Sequence, residues 1–252
     1  MTARPPAPGS AHRAVVTLIT VPDVASDDDR RLLSDAEQAR ANRFAVEPAR
    51  TAFVTARAAV RRLLGRALCA DAADVRIAIG DNGRPRLDHA DSTLLDFNLS
   101  HSGSLIAIIV ARGHRAGIDI EWHGHDRGLQ ELVPTVMSPL EAAYLRTQRG
   151  ANFTRAFLDC WTRKEALLKA DGVGLGFPLQ QIEIPTLEAG RTKRVTLEGG
   201  SQWCVTTLAP HPEYSLSVAL DGNAMPSGDS GKLDLDVTWQ SGEAATGLHE
   251  SS

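Results

Sequence analysis

The stretch GIDIEWHG, residues 117–124, places two carboxylates on one face of a predicted β-strand. Side chains alternate along a strand, so Asp119 and Glu121 point to one side while Ile118 and Ile120 point to the other. The two acids then stand about 6.6 Å apart along the chain, at a rise of ~3.3 Å per residue. Like charges this close repel each other unless solvent screens them, a cation lies between them, or one takes a proton. This stretch alone is therefore compatible with either a solvated strand face or a cation site.

A second stretch, FLDCWTRKEALLKADGVGL at 157–175, predicts a helix with an unusual face. Trp161, Glu165 and Lys169 follow one another at i, i+4 spacing and share that face. A Glu–Lys pair at this spacing is most often a weak surface ion pair. Here the pair continues an aromatic stripe, which places it near the core boundary. Gly172 then ends the helix, and the absence of a side chain allows another backbone to approach closely there.

Together the two stretches indicate a site for a cation and phosphate groups. Three carboxylates, Asp119, Glu121 and Glu165, offer the oxygen ligands that Mg²⁺ prefers, with Mn²⁺ as an alternative. Lys164 and Lys169 are the predicted partners of substrate phosphates that would complete the coordination. A cation in this position would relieve the repulsion between Asp119 and Glu121.

Composition is that of an ordinary globular protein. The 252 residues are 42% hydrophobic and 23% charged, and no apolar run approaches the length of a membrane span. AVVTLITV at 14–21 is short and interrupted by threonines, which favours a first strand over a signal peptide. Cys69, Cys160 and Cys204 have no metal-ligand spacing and are predicted to be buried thiols in a reducing cytoplasm.

The net charge of −4 is unevenly distributed. Residues 223–252 carry five acids against one lysine, so the remaining body is neutral. Residues 30–66 hold nine arginines and three acids. A basic patch on a neutral body suits a small polyanion better than nucleic acid, and the basic helices lack the interleaved aromatics that stack on bases.

The order of elements indicates an α+β fold made of two pseudo-duplicated α/β halves with the site between them. The acidic SDDD at 26–29 is interpreted as a loop, Ser34 and Ser138 each begin a helix with a glutamate three residues later, and strands alternate with these helices. IEIPTL, RVTLE, WCVTTLA and YSLSVAL are the predicted strands of the second half.

The domain boundaries follow from the same pattern. We expect a disordered N-terminus over 1–12, an N-terminal half over 13–112, a C-terminal half with the metal site over 113–222, and a disordered acidic tail over 223–252. The alternative for the tail is that LDLDVTW at 233–239 pairs with a sheet edge and buries Trp239.

Two motifs and four further segments of the sequence resemble those of a known family. GIDIE followed by WTRKEALLKADG is similar to the paired motifs G-x-D-x-E and W-x-x-K-E-A-x-x-K-x-x-G of the Sfp-type (surfactin-type) 4′-phosphopantetheinyl transferases. SDAEQARANRF (34–44), RTAFVTARAAVRRLL (50–64), NGRPRL (82–87) and FNLSHS (97–102) resemble family segments in the same order. The resemblance covers roughly residues 14–220, and the WTRKEA form resembles the broad-substrate branch.

The resemblance implies a reaction and roles for the motif residues. The family moves phosphopantetheine from coenzyme A to a serine of an apo carrier protein and releases adenosine 3′,5′-bisphosphate. It implies that Asp119, Glu121 and Glu165 face the metal, that Glu165 or a metal-bound water deprotonates the serine, and that Lys169, assisted by Lys164, holds the pyrophosphate.

The resemblance also implies the coenzyme A contacts. Arg40, Arg50 and Thr51 match the residues that hold the 3′-phosphate, and Ser100-His101 match the family histidine motif at the same phosphate. Gly83, Arg84 and Pro85 match a Gly-Lys-Pro turn beside the adenine, with arginine in place of lysine. Glu37 stands where some members have a basic phosphate ligand.

Two other interpretations remain open from sequence. His123 and His125 continue the parity of the acids as D-x-E-x-H-x-H, which suits a transition metal. A non-catalytic relative that only binds coenzyme A or a carrier protein is the second. For the transferase, the expected partners are coenzyme A and apo acyl or peptidyl carrier proteins of fatty-acid, polyketide or nonribosomal peptide synthesis. We expect no nucleic acid, no membrane and a cytoplasmic monomer.

Overall fold

A computed structural model of the chain describes residues 14–80, 83–90, 94–124, 128–173, 177–184, 189–197, 199–224, 233 and 235–240. The helices are α1 Asp27–Leu32, α2 Asp35–Ala41, α3 Glu47–Leu68, α4 Leu129–Val136, α5 Pro139–Leu145 and α6 Gly150–Asp171. The strands are β1 Ala14–Thr20, β2 Ile77–Ile79, β3 Pro85–Leu87, β4 Leu95–Ser102, β5 Leu105–Arg112, β6 Ala116–Trp122, β7 Thr192–Thr196, β8 Gln202–Leu208, β9 Tyr214–Asp221 and β10 Leu235–Gln240.

Two four-stranded sheets form the centre of the molecule. One has the strand order β10-β1-β5-β4 and the other β6-β9-β8-β7. One apolar cluster packs the inward faces of both sheets together, with Val16, Ile109, Ile118 and Val218 as members. The α+β architecture predicted from the sequence is therefore confirmed.

Each sheet carries one 22-residue helix on its other face. Helix α3 packs on the first sheet through Ala56, Val60 and Leu64, which meet Phe97 and Ile106. Helix α6 packs on the second sheet, where its alanines and leucines meet strand residues such as Val205 and Ala219. The apolar stripe of α3 therefore faces a sheet, as amphipathic helices do.

Helix starts follow the predicted capping chemistry. Ser34 and Ser138 each accept a hydrogen bond from the backbone N–H three residues on, and Glu37 and Glu141 reach back to complete both capping boxes. Gly172 ends α6 in a left-handed conformation, φ 79°. These local signals require no long-range information, which explains why the sequence reveals them.

Three local predictions are wrong. SDDD at 26–29 is not a loop, because Ser26 caps α1 and the three aspartates occupy its first turn, where negative charge favours a helix. Residues 182–184 of the predicted strand IEIPTL form no strand, although Ile182 and Ile184 are buried; the rest of that segment lies outside the described residues. Cys69 is exposed at the end of α3, whereas Cys160 and Cys204 are buried.

The disorder predicted over 223–252 does not extend to β10. This strand pairs in parallel with β1, from Ala14 opposite Leu235 to Ile19 opposite Gln240. Leu233 joins the core between the sheets, while Trp239 stays 48% exposed. The sheet-edge alternative therefore describes the pairing correctly, but the burial of Trp239 is wrong. Residues 1–12 and 241–252 lie outside the described residues.

Truncation after Ala224 is expected to lower the melting temperature, because it removes the backbone pairing of β10 with β1 and the core contact of Leu233. The carrier-modification rate well below the melting temperature should remain similar, since β10 contributes no acid or lysine to the predicted site. Thermal unfolding checks this, with a truncation after Gln240 as the control that keeps β10. Equal melting temperatures for both truncations would show that β10 adds no stability.

Candidate active site

Strands β4 and β6 are the neighbouring edges of the two sheets, and polar side chains join them. Asp96, Asn98, Ser100 and Ser102 alternate along β4 on the face that looks toward β6; we call this row the polar seam. Asp96 Oδ2 accepts from the N–H of Ala116 at 2.9 Å, Asn98 Oδ1 from that of Ile118 at 3.3 Å, and Ser102 Oγ from that of Trp122 at 3.0 Å. The seam thus satisfies backbone donors on the free edge of β6.

The glycine of GIDIE sets how closely helix α6 approaches β6. A Cβ atom at Gly117 would lie 2.0 Å from the carbonyl oxygen of Ala166 and 2.5 Å from the amide nitrogen of Ala170. These are backbone atoms of α6, so any side chain at 117 would push the helix away. The close approach brings the Glu165 and Lys169 side of α6 against Asp119.

Asp119 is the centre of the site. It is 3% exposed, and its Oδ1 accepts from the Ser100 hydroxyl at 2.8 Å and from the Lys169 ammonium at 2.6 Å. Lys169 also donates to Ser100 Oγ at 3.1 Å. The sequence places Lys169 beside Glu165 on the helix, but its ion pair is made across to the strand.

Glu121 and Glu165 complete the acidic group. Ser102 donates to Glu121 Oε2 at 2.8 Å. Burial raises the pKa of Glu165, the Asp119 and Glu121 carboxylates raise it further, and Lys169 opposes them. The charges of Asp119 and Glu121 therefore act on Glu165, which is 7% exposed.

The donor set suits a hard divalent cation. Asp119 Oδ2 and Glu165 Oε1 are buried oxygens without a hydrogen-bond partner among the described residues, and a buried carboxylate oxygen in that condition is costly unless something binds it. In the part of the chain that the structure describes, no three acidic, histidine or cysteine side chains converge as closely as the ligands of a bound ion do. The Lys169 ammonium supplies the positive charge at Asp119 in this arrangement.

Lys164 does not reach this site, which corrects the phosphate role that the sequence suggested for it. Its side chain is 0% exposed and its ammonium contacts Glu141 Oε2 at 2.6 Å. It also donates to the carbonyl oxygens of Val136 at 2.7 Å and Leu179 at 2.9 Å. All three donors of the ammonium are thus used inside the protein.

Arg84 makes contacts inside the protein, and its position beside the adenine, which the resemblance implies, stays a prediction. Its guanidinium donates to Asp96 Oδ2 at 2.7 Å, to the carbonyl oxygen of Ala116 at 2.8 Å and to that of Lys169 at 2.6 Å. These contacts connect the first half to both β6 and α6. Gly83 has φ 78° in the preceding turn, and Pro85 begins β3.

The residues predicted to hold the 3′-phosphate lie on the α3 side of the first sheet. His101 shares the face of β4 that carries Phe97, on which α3 packs; partial burial lowers its pKa, and Lys169 lowers it further. Arg50 donates to Glu47 at 2.8 Å and to the carbonyl oxygen of Phe44 at 3.1 Å. The buried Arg50 Nε and Thr51 Oγ1 have no partner among the described residues.

Two further positions in this region have internal partners. The exposed Arg40 places its guanidinium 5.4 Å from the centre of the Phe53 ring, within cation–π range. Glu37 forms an ion pair with Arg61 at 2.8 Å. The acid stands where some family members have a basic phosphate ligand, and here it neutralises an arginine of α3.

The histidine alternative receives no support from His123. Its Nε2 lies 3.0 Å from Ser215 Oγ, and that hydroxyl donates to Asp159 Oδ1 at 2.6 Å. The ring is therefore held by hydroxyl and carboxylate groups of the second half. His125 lies outside the described residues.

Sequence reasoning missed the function of the polar seam. The alternation in DFNLSHS is visible in the sequence, but it does not reveal which strand the polar face meets. Ser102 and Asn98 become informative only once β4 and β6 are seen as neighbouring edges.

The chain is similar to known proteins over most of its length. Residues 115–219 match the family model of the 4′-phosphopantetheinyl transferase superfamily, and residues 28–113 match the model described as 4′-phosphopantetheinyl transferase, N-terminal. The 4′-phosphopantetheinyl transferase HetI of Nostoc sp. is 33% identical over 203 residues, which are 80% of this chain and 84% of that protein. A phosphopantetheinyl transferase of Thraustochytrium sp. is 28% identical over 77% of this chain and 74% of its own length. The 4′-phosphopantetheinyl transferase Sfp of Bacillus subtilis is 26% identical over 63% of this chain and 69% of its own.

No helix among the described residues combines the length and apolar character needed to cross a membrane.

Proposed function

Because the chain belongs to the 4′-phosphopantetheinyl transferase superfamily, we propose that Asp119, Glu121 and Glu165 hold a Mg²⁺ ion for its reaction. The enzyme transfers phosphopantetheine from coenzyme A to a carrier protein. The observation that carries the metal assignment is the pair of buried, unpartnered oxygens on Asp119 and Glu165 beside the Lys169 ammonium. When bound, the ion would neutralise charge that develops on the pyrophosphate oxygens.

Lys169 and Glu165 have separate roles in the proposed reaction. Lys169 can exchange its contact with Asp119 for a phosphate oxygen of coenzyme A, because its side chain is 30% exposed on the open side of the site. Glu165 accepts the proton of the attacking carrier serine. Its raised pKa makes its carboxylate a stronger proton acceptor than an ordinary glutamate. The Gly117 contact keeps both residues at their working distance from Asp119.

We infer that the enzyme is of the broad-substrate Sfp type and acts as a cytoplasmic monomer. The WTRKEA motif and the similarity to Sfp support the subtype. One chain supplies the acids, the lysine and the seam, which supports a monomer. The three free cysteines suit a reducing compartment.

The decisive assay incubates apo acyl and peptidyl carrier proteins with coenzyme A, Mg²⁺ and the protein, and follows carrier mass. A gain of one phosphopantetheine is expected with Mg²⁺ or Mn²⁺, and none when EDTA removes divalent ions. Undiminished transfer in EDTA would refute the metal assignment. The carriers that are modified would define the breadth of the enzyme.

Arg50→Ala and His101→Ala are expected to weaken binding of coenzyme A much more than that of dephospho-coenzyme A, which lacks the 3′-phosphate. A lost charge-assisted contact costs on the order of 1.5–3 kcal/mol, about 10- to 150-fold in Kd. Calorimetric titration with both ligands measures the difference. Arg43→Ala, another exposed arginine of the same basic segment, is the control. Equal losses for both ligands would show that Arg50 and His101 do not bind the 3′-phosphate.

A further inference from the structure

We propose that Ser102, supplied by the first half, is a positioning residue that orients the Glu121 carboxylate of the second half for cation binding. This inference rests on the proposed function, because it assumes that Glu121 is a metal ligand. Ser102 touches neither coenzyme A nor the ion in the proposal and acts only through Glu121.

The hydroxyl of Ser102 has a backbone donor on one side and a carboxylate acceptor on the other. Ser102 is 6% exposed, and its oxygen accepts the N–H of Trp122 at 3.0 Å. That contact occupies one lone pair and restricts where the hydroxyl proton can point. Its single proton is then donated to Glu121 Oε2 at 2.8 Å. The Trp122 N–H of β6 thus orients the Ser102 hydroxyl, and that hydroxyl orients the Glu121 carboxylate.

The register of the two strands repeats this arrangement at the next acid. Ser100 and Ser102 are two residues apart on β4, as Asp119 and Glu121 are on β6, and each serine donates to one acid at 2.8 Å. The two contacts differ in one respect. Ser100 also receives the Lys169 ammonium at 3.1 Å, so its loss would disturb a second charged group, whereas Ser102 contacts one charged group, Glu121, and the backbone N–H of Trp122.

A fixed carboxylate binds a cation more tightly than a mobile one. A glutamate side chain has several rotatable bonds, and restricting them costs entropy at the moment of binding unless the protein has restricted them beforehand. Removing groups that orient metal ligands typically weakens metal affinity by about 10- to 100-fold. We therefore expect the hydroxyl of Ser102 to contribute an effect of this size.

The experiment compares Ser102→Ala, Ser102→Thr and Ser104→Ala for Mn²⁺ affinity with coenzyme A present, measured by electron paramagnetic resonance. Ser102→Ala should weaken Mn²⁺ binding by about tenfold or more, and Ser102→Thr, which keeps a hydroxyl, should restore most of it. Ser104→Ala is the matched control, because it removes a hydroxyl of the same hairpin that contacts Tyr214 at 3.1 Å instead of an acid. The Mg²⁺ concentration for half-maximal transfer should rise in parallel with the Mn²⁺ Kd.

The outcomes separate the inference from the proposed function. Mn²⁺ binding by Ser102→Ala as tight as that of the wild type would overturn the inference, even if the variant melts at a lower temperature. Wild-type protein that binds no Mn²⁺ would refute the metal assignment itself. If the alanine variant folds poorly, Ser102→Cys nearly keeps the side-chain volume with a weaker donor, and unchanged Mn²⁺ affinity there would equally overturn the inference.

Discussion

Glu165→Gln is expected to reduce carrier modification by about a thousandfold or more, while making the metal-free protein more stable at neutral pH. The substitution removes one proposed metal ligand and the proposed proton acceptor together, and loss of either a general base or a charge-stabilising group alone typically costs 10²–10⁴-fold, as an order of magnitude. It keeps the size of the side chain, so the packing of α6 against β6 is preserved. Transfer rates and thermal unfolding in EDTA are the two measurements.

The stability gain has a definite pH dependence. Burial and the neighbouring acids raise the folded-state pKa of Glu165 above its unfolded value, so the folded protein binds more protons than the unfolded chain between the two pKa values. Stability of the wild type therefore falls as pH rises through that window. Glutamine carries no such charge. The melting temperatures of variant and wild type should thus converge at acidic pH and separate as pH rises.

An exposed glutamate and added Mg²⁺ provide two further tests of the role of Glu165. Glu183→Gln makes the same chemical change at an exposed position of the second half and should alter neither quantity. Saturating Mg²⁺ should stabilise the wild type and reverse the order, because the ion favours the ionised acid. Retention of full transfer by Glu165→Gln would exclude Glu165 from both proposed roles.

Strand β4 would place the proposed metal site next to the proposed site of the 3′-phosphate. Its seam face holds Asp119 and Glu121 through Ser100 and Ser102. Its opposite face carries His101 on the side where α3 packs. Because the two faces of a strand alternate residue by residue, the SHS tripeptide at 100–102 contributes side chains to both proposed sites.

The sequence predicted those parts of the site that depend on short-range periodicity. The alternation of β6 identified Asp119 and Glu121, and helical spacing identified Glu165 and Lys169 as one face of α6. The two capping boxes were predicted for the same reason. In each case the residues that determine the geometry lie within a few positions of one another.

The errors involve partners that are distant in the chain. Lys164 adjoins Glu165, but its environment is set by Glu141, which another helix supplies. The carbonyl acceptors of Arg84 on β6 and α6 are equally invisible in the sequence, although its predicted place beside the adenine is not contradicted by them. β10 is surrounded by glycine, serine and acids that favour disorder, and the free edge of β1 overrides that preference. Local propensity contains no information about such contacts.

Lys164→Met should destabilise the protein strongly, whereas Lys169→Met should mainly reduce the rate of phosphopantetheine transfer. Removing one partner of a buried ion pair typically costs about 3–5 kcal/mol, and in a chain of this size that lowers the melting temperature by roughly 10 °C. Glu141 would keep its backbone donors Ser138 and Ile184, but the carbonyl oxygens of Val136 and Leu179 would lose theirs.

The two variants make the same chemical change five residues apart on one helix, which makes each the control for the other. Melting temperatures are compared first, and transfer is then measured well below both midpoints and normalised to folded protein. Lys164→Met should retain most of its transfer rate, since the residue is fully buried away from Asp119. Lys169→Met should lose about 100-fold or more with a smaller change in stability, because its side chain is partly exposed. If Lys164→Met instead kept its melting temperature and lost transfer, Lys164 would be a phosphate ligand, and the buried Glu141 pair would have to open when coenzyme A binds.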